Sequence, residues 1–222
     1  MAVLFEKLIE VRDPSPHPAP LNMAIDETLL AGAREVTLRI YRWACPAVSF
    51  GYFGRFAEVE ARWPAREIVR RMTGGGVVPH GGDLTYSLVV PAENSFASES
   101  PREIYRAVHE AIAALLVQSG EAPMLAPPGS HEASGICFEI PAEFDLLVGG
   151  RKIGGAALRR TRAGLLLQGS IQQLPDCEAL RPRLAAAFGA RVVEREMSPS
   201  EMAEAESLAF GKYATREWTC RV

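Results

Sequence analysis

No apolar run in these 222 residues approaches the ~18 that a membrane-spanning helix needs. The first dozen residues, Met1 to Arg12, alternate apolar and charged side chains and lack the hydrophobic stretch of a secretory leader. Both absences set the expectation of a cytoplasmic chain. Cysteine is scarce: Cys45, Cys137, Cys177 and Cys220 lie far apart with no C-x-x-C pair. That spacing argues against a disulfide framework and against a zinc site, so each thiol is weighed alone. A basic surplus is also missing. The formal net charge is -3, against the footprint of a nucleic-acid binder, although local basic clusters stand at Arg70-Arg71 and from Arg151 to Arg162. Internal repeats, low-complexity tracts and an evident linker are lacking too.

What is present suits a globular core. Hydrophobic residues make up 48% and charged residues 23%, enough for one large domain. Phe5 to Val11 reads as a strand, followed by a proline-rich loop. Asn22 is positioned to cap a helix that carries Asp26 and Glu27 and ends at Gly32. Val36 to Tyr41 and Ala47 to Tyr52 read as paired strands, and Glu67 to Arg71 as another. Gly76 to His80 and Leu84 to Val90 look like hairpin arms. Ser100-Pro101-Arg102-Glu103 is a capping box with proline at the first helical position, opening a helix with Ile104, Val108, Ile112, Leu115 and Leu116 on one face. Three further strands follow, Phe144 to Val148, Arg151 to Arg159 and Gly164 to Ile171, the first two joined at Gly149-Gly150. Asp176 opens a helix ended by Gly189. Ser198 to Glu201 repeats the capping-box pattern ahead of a last helix. Strand clusters with helices between them point to an α+β fold with a mixed, largely antiparallel sheet flanked by helices.

One segment stands out chemically: Arg70-Arg71-Met72-Thr73-Gly74-Gly75-Gly76-Val77-Val78-Pro79-His80, followed by Asp83-Leu84-Thr85-Tyr86-Ser87. Three successive glycines cost chain entropy, which close approach of a ligand to bare N–H groups would repay; a flexible hairpin loop is the plainer reading. The spacing is neither the GxxxxGK[ST] phosphate loop nor the GxGxxG dinucleotide turn.

This RRxTGGGxVxH…DLTYS stretch resembles the signature loop of the lipoate–protein ligase and octanoyltransferase family, relatives of the biotin protein ligases. Leu21 to Glu27 (LNMAIDE), Leu38 to Phe53 (ending SFGYF), Arg151 to Arg160 (RKIGGAALRR) and Leu167 to Ile171 resemble the family's other segments, in the family's order. The resemblance implies a biotin/lipoate ligase type of catalytic domain over residues 1–222, with no separate C-terminal accessory domain, and a tunnel for an acyl chain. By position it makes Arg71, Gly74, Gly75, Gly76, His80, Gly154 and Ala156 acyl- or substrate-binding residues and Lys152 catalytic. A solvated hairpin lysine and a structural histidine are the plain alternatives for Lys152 and His80.

Cys137, in Gly135-Ile136-Cys137-Phe138 ahead of Pro141 and Asp145, resembles the acyl-bearing cysteine of the carrier-protein-dependent octanoyltransferases. A thiolate suits thioester exchange, whose energies nearly balance; a buried inert thiol is the alternative. Three departures from the transferase pattern stand against it: Gln168 where a histidine is usual, Gly155 where serine is frequent, and Pro79 within the loop. Two enzymatic readings therefore stay open. One is a transferase that needs no cofactor and moves octanoyl from acyl carrier protein to a lysine of a lipoyl domain or glycine-cleavage H-type protein. The other is a lipoate ligase that uses ATP and Mg. A non-catalytic acyl-binding module is a third. The resemblance implies no nucleic-acid or membrane partner, and Arg159, Arg160 and Arg162 are expected on a rim facing an acidic acceptor domain.

Overall fold

The protein is described from a computed structural model covering residues 3–130, 140–174 and 177–221. Its frame is an eight-stranded sheet in the order β11-β1-β2-β6-β10-β9-β8-β7. These strands are β1 (Phe5–Arg12), β2 (Thr37–Tyr41), β6 (Leu84–Pro91), β7 (Pro123–Leu125), β8 (Leu146–Val148), β9 (Arg151–Arg160), β10 (Gly164–Ile171) and β11 (Gly189–Glu196). The pairs β1–β11 and β1–β2 are parallel, and every other ladder in this sheet is antiparallel. The mixed, largely antiparallel α+β expectation therefore holds. A second sheet of three short strands, in the order β4-β3-β5, comprises β3 (Ala47–Phe50), β4 (Glu67–Arg70) and β5 (Val77–His80).

Two strand pairings differ from those expected of the sequence. Ala47–Phe50 pairs with β4 and β5, not with β2. Val77–His80 and Leu84–Pro91 are not hairpin arms: β5 belongs to the small sheet, while β6 lies between β2 and β10. The chain crosses between sheets at Gly81, whose φ of 144° is a conformation open mainly to glycine. Local patterning shows where a strand is. It does not show which edge will satisfy its N–H groups.

Helices cover both faces. The 18-residue helix α3 (Pro101–Gln118) opens at Ser100, whose hydroxyl accepts from the Glu103 N–H. Its Ile104, Val108, Ile112 and Leu116 are fully buried against one face, together with Leu184 and Phe188 of α4 (Arg181–Phe188). Each such side chain contributes ~1.5–3 kcal/mol by leaving water. The opposite face is covered by α1 (Ala19–Ala31) and α5 (Pro199–Leu208), the latter started by a complete Ser198/Glu201 capping box. Two short helices, α2 (Phe56–Arg62) and α6 (Arg216–Thr219), flank the small sheet and the last residues. Helix α1 begins three residues before Asn22, behind Pro18. Asn22 is therefore not its cap. The Asn22 amide donates instead to the carbonyls of His17 and Arg42, while the first helical N–H, that of Ala19, donates to the Glu67 carboxylate. The expected start at Asp176 lies outside the described residues; helical turns resume at Cys177. Strand β11, which pairs along β1 from Phe5 to Arg12, had no counterpart in the sequence reading. No helix among the described residues is long and apolar enough to cross a membrane.

Candidate active site

The floor of the site comes from strand alternation. In β2, β6 and β10 one set of side chains (Leu38, Ile40, Leu84, Leu88, Leu165, Leu167) packs against α3 and α4. The other set, Arg39, Tyr41, Thr85, Ser87, Gln168 and Ser170, is polar, yet it is buried. It lies under α1 and the small sheet, and burial obliges its members to hydrogen-bond one another. Asp26 of α1 accepts from Arg39 (2.8 Å), Ser87 (2.7 Å) and Gln168 (2.7 Å). The Gln168 amide oxygen in turn accepts from Thr73 Oγ1 at 2.8 Å. Gln168 thus joins the first helix to the glycine loop. Asn22 and Asp13 complete the fork around Arg39, which has no exposed surface.

Over this floor sits the glycine loop. Arg71 follows β4 and donates to the carbonyls of Gly74 (2.9 Å) and Gly76 (3.1 Å), so its guanidinium shapes the loop from within. Gly75 has φ of 81° and lies against Ala157 of β9. A Cβ at Gly51 would fall 2.0 Å from the Gly75 carbonyl oxygen, so two backbones touch at that point. Arg71 also donates to Ser49 Oγ at 2.8 Å. Ser49 is 2.7 Å from His80 Nε2, and His80 Nδ1 is 2.8 Å from Asp83 Oδ2. His80 is accordingly not a lone histidine. Arg71, Ser49, His80, Gly75 and Ala156 border one narrow cavity, together with Met23, Tyr41, Trp43 and the polar floor.

Lys152 begins β9, and its ammonium lies 2.6 Å from Asp145, both side chains buried. Burial pushes the Asp145 carboxyl above its ordinary value; the Lys152 charge and hydrogen bond oppose this and do not cancel it. A second buried group supports the pair. His109 of α3 donates from Nδ1 to the carbonyl of Phe144 at 2.7 Å, holding Phe144 at a φ of 66° next to Asp145. Asp145 and Phe144 line a cleft with Gly74, Gly75, Ala156, Ser130 and Ala142. Gly74 and Gly75 of the loop therefore face the same space as Asp145, the partner of Lys152. Gly154 packs against Leu146. At Gly155 a Cβ would stand 2.9 Å from Asp145 Oδ1 and 3.0 Å from Lys152 Cε, which accounts for glycine there.

Cys137 lies outside the described residues. The chain on either side of it meets at the cleft: the Glu143 N–H donates to the Ser130 carbonyl and the Ala142 N–H to Asp145 Oδ2. Of the other cysteines, Cys45 is exposed and Cys177 buried. Both thiols lie above the ordinary value, through burial first and then the neighbouring carboxylates, Glu67 for Cys45 and Glu178 for Cys177. Neither is primed as a thiolate. Arg159 reaches the carbonyl of Met72 and lies over the Tyr52 ring, beside the glycine loop. Arg160 is committed instead to the carbonyls of Ala97 and Glu99, since consecutive strand residues point to opposite faces. The sequence reading gave no site role to Ser49 or His109, and named Asp145 and Gln168 only as motif positions. Only the burial of polar residues within apolar strands hinted at them.

A cavity floored by a buried polar network, a glycine loop shaped by an arginine, and a buried lysine–aspartate pair make up the candidate site. Residues 18–203 match the lipoyl protein ligase A/B catalytic domain, and the chain belongs to that family. It is 38% identical over 175 residues to octanoyltransferase LipM of Oceanobacillus iheyensis, a match covering 75% of this chain and 64% of the relative. It thus spans somewhat under two thirds of that relative's length. Against octanoyltransferase LipM of Kyrpidia tusciae it is 30% identical over 263 aligned residues, covering 91% of this chain and 95% of the relative. Its fold is similar to a solved lipoate-protein ligase A bound with ATP (TM-score 0.78, 22% identity, 97% of this chain and 99% of that one). It is likewise similar to Ta0514 of T. acidophilum with bound lipoic acid (TM-score 0.80, 21% identity, 97% and 99%).

Proposed function

We propose that the protein is an octanoyltransferase of protein lipoylation: it takes a medium-chain acyl group from a carrier-protein thioester onto Cys137 and passes it to a lysine of a lipoyl-type domain. The supporting observation is the buried Lys152–Asp145 pair, whose Asp145 lines a cleft with Gly74 and Gly75 of the glycine loop and with Ser130, Ala142 and Glu143 on either side of the Cys137 segment. In the first step the Cys137 thiolate attacks the donor carbonyl and the carrier thiolate leaves. In the second the acceptor amine attacks the acyl-cysteine carbonyl and the Cys137 thiolate leaves. The Lys152 ammonium is the group suited to hold the carbonyl oxygen as it gains charge. Substrate would draw that ammonium partly from Asp145, a carboxylate whose burial already weakens its hold on charge. The relatives named LipM are transferases by name, which favours this route over ATP-dependent ligation. Neither enzymatic step calls on a bound cofactor.

The decisive experiment incubates purified protein with octanoyl carrier protein and weighs it. The wild type should gain one octanoyl group on Cys137, and Cys137→Ser should gain none and transfer none. Undiminished transfer by Cys137→Ser, or acyl transfer that requires lipoate plus ATP, would remove the cysteine role.

A further inference from the structure

Ser49, His80 and Asp83 come together through the small sheet. Ser49 on β3 lies opposite Val78 of β5, so His80, two residues on, occupies the same face within reach. Asp83 stands in the crossing between β5 and β6. Its carboxylate accepts from His80 Nδ1 at 2.8 Å, Thr85 Oγ1 at 2.6 Å, Ser170 Oγ at 2.7 Å and the Gly81 N–H at 3.2 Å. A carboxylate so supplied is an acceptor only, which places the ring proton on Nδ1 and leaves the Nε2 lone pair facing Ser49 at 2.7 Å. Arg71 can only donate to Ser49 Oγ, so the serine's own proton points to Nε2. Trp43 stacks on the imidazole with centroids 4.0 Å apart and an interplanar angle of 18°, fixing the ring plane. Ser49, Arg71 and His80 all border the acyl cavity. A merely structural network would need neither the ordered Asp–His–Ser chain nor a guanidinium on the serine oxygen.

We propose that Ser49–His80–Asp83 is a second acyl-accepting centre, a serine nucleophile with its own base, acting on medium-chain acyl esters and thioesters that enter this cavity. Ser49 Oγ attacks the acyl carbonyl as its proton passes to His80 Nε2, and Arg71 faces the carbonyl oxygen as it becomes an oxyanion. The C–O or C–S bond of the leaving group breaks, the leaving group takes the proton from His80, and Ser49 carries the acyl ester. Water, deprotonated by His80, then releases the free acid and restores the serine. Roles are assigned from geometry, as for triads on unrelated folds. The choice of an eight-carbon chain rests on the function proposed above; the relay does not.

The test treats the full-length protein with an octyl fluorophosphonate and locates the adduct by peptide mass spectrometry. The expected result is one adduct at Ser49, formed equally by wild type and Cys137→Ser and absent from Ser49→Ala. Hydrolysis of p-nitrophenyl octanoate by Cys137→Ser should fall on the order of 10⁴-fold when Asp83→Asn is added, because the ring tautomer is no longer fixed. Absence of a Ser49 adduct on folded wild-type protein overturns the proposal even if no variant folds, as does hydrolysis unchanged by loss of Ser49. Acylation of Cys137 with an unlabelled Ser49 would leave the transferase standing and the relay refuted; the reverse pattern would do the opposite.

Discussion

The least conspicuous residue of the site is His109, and its chemistry couples stability to pH. Burial, opposed by the Phe144 carbonyl and aided by the Lys152 charge, lowers its pKa to about 4. Nε2 has no hydrogen-bond partner among the described residues. The folded state therefore prefers the neutral ring, while the unfolded chain takes up a proton near pH 6.5. The resulting stabilisation is complete above pH 6.5 and is lost as pH falls toward 4. It amounts to about 3 kcal/mol, since one pKa unit is ~1.4 kcal/mol. Urea unfolding of the wild type should show this loss between pH 7 and pH 4, and His109→Gln should show a slope shallower by most of it. Equal slopes would assign the acid sensitivity elsewhere. Because His109 holds Phe144 beside Asp145, acid should also loosen the clamp on Lys152.

Among the elements, the glycine loop and the β3 terminus separate packing from ligand space. A side chain at Gly51 would meet the Gly75 oxygen and the Gly74 carbonyl carbon and oxygen, all backbone. At Gly74 nothing lies within 4 Å. Gly51→Ala should therefore destabilise by ~1–3 kcal/mol, as overpacking does. Gly74→Ala should shift stability by no more than ~0.5 kcal/mol, yet lower acyl transfer, because its methyl would occupy the cleft shared with Asp145. Thermal melts and transfer rates on the pair check this. Equal stability loss in both would mean that the loop is simply packed, with no room reserved for substrate. The motif spacing made this loop legible in the sequence. The contact between Gly51 and Gly75 was not, because the partners are 24 residues apart and lie just outside different strands, Gly51 after β3 and Gly75 before β5.

Across the whole molecule, Arg70 holds the last helix to the site. It is buried, and its guanidinium donates to five backbone carbonyls: Tyr52, Gly54, Trp218, Thr219 and Arg221. Lysine has three donors on a point charge and cannot reproduce that fork. Arg70→Lys should cost about 3 kcal/mol, in line with loss of charged hydrogen bonds in a buried setting. It should also speed amide exchange in residues 216–221. Unchanged exchange there would show that the Tyr213–Trp218 and Tyr52–Trp218 ring contacts suffice. In the sequence Arg70 and Arg71 read as one basic cluster. Folded, they serve separate ends, since adjacent residues leave the strand in opposite directions.

By itself the sequence determined the strands β9 and β10 with their glycine turns, the capped starts of α3 and α5, and the glycine loop as a candidate site. These depend on neighbours within a few residues, where spacing, turn glycines and caps act directly. Only the tertiary structure decided that β3 and β5 form their own sheet and that β11 runs parallel to β1. It also buried the polar face of β2, β6 and β10, whose alternation taken alone describes a wet surface. Covered by α1 and the small sheet, those side chains can satisfy their hydrogen bonds only through one another. That requirement is what joined Asp26 to Arg39, Ser87 and Gln168.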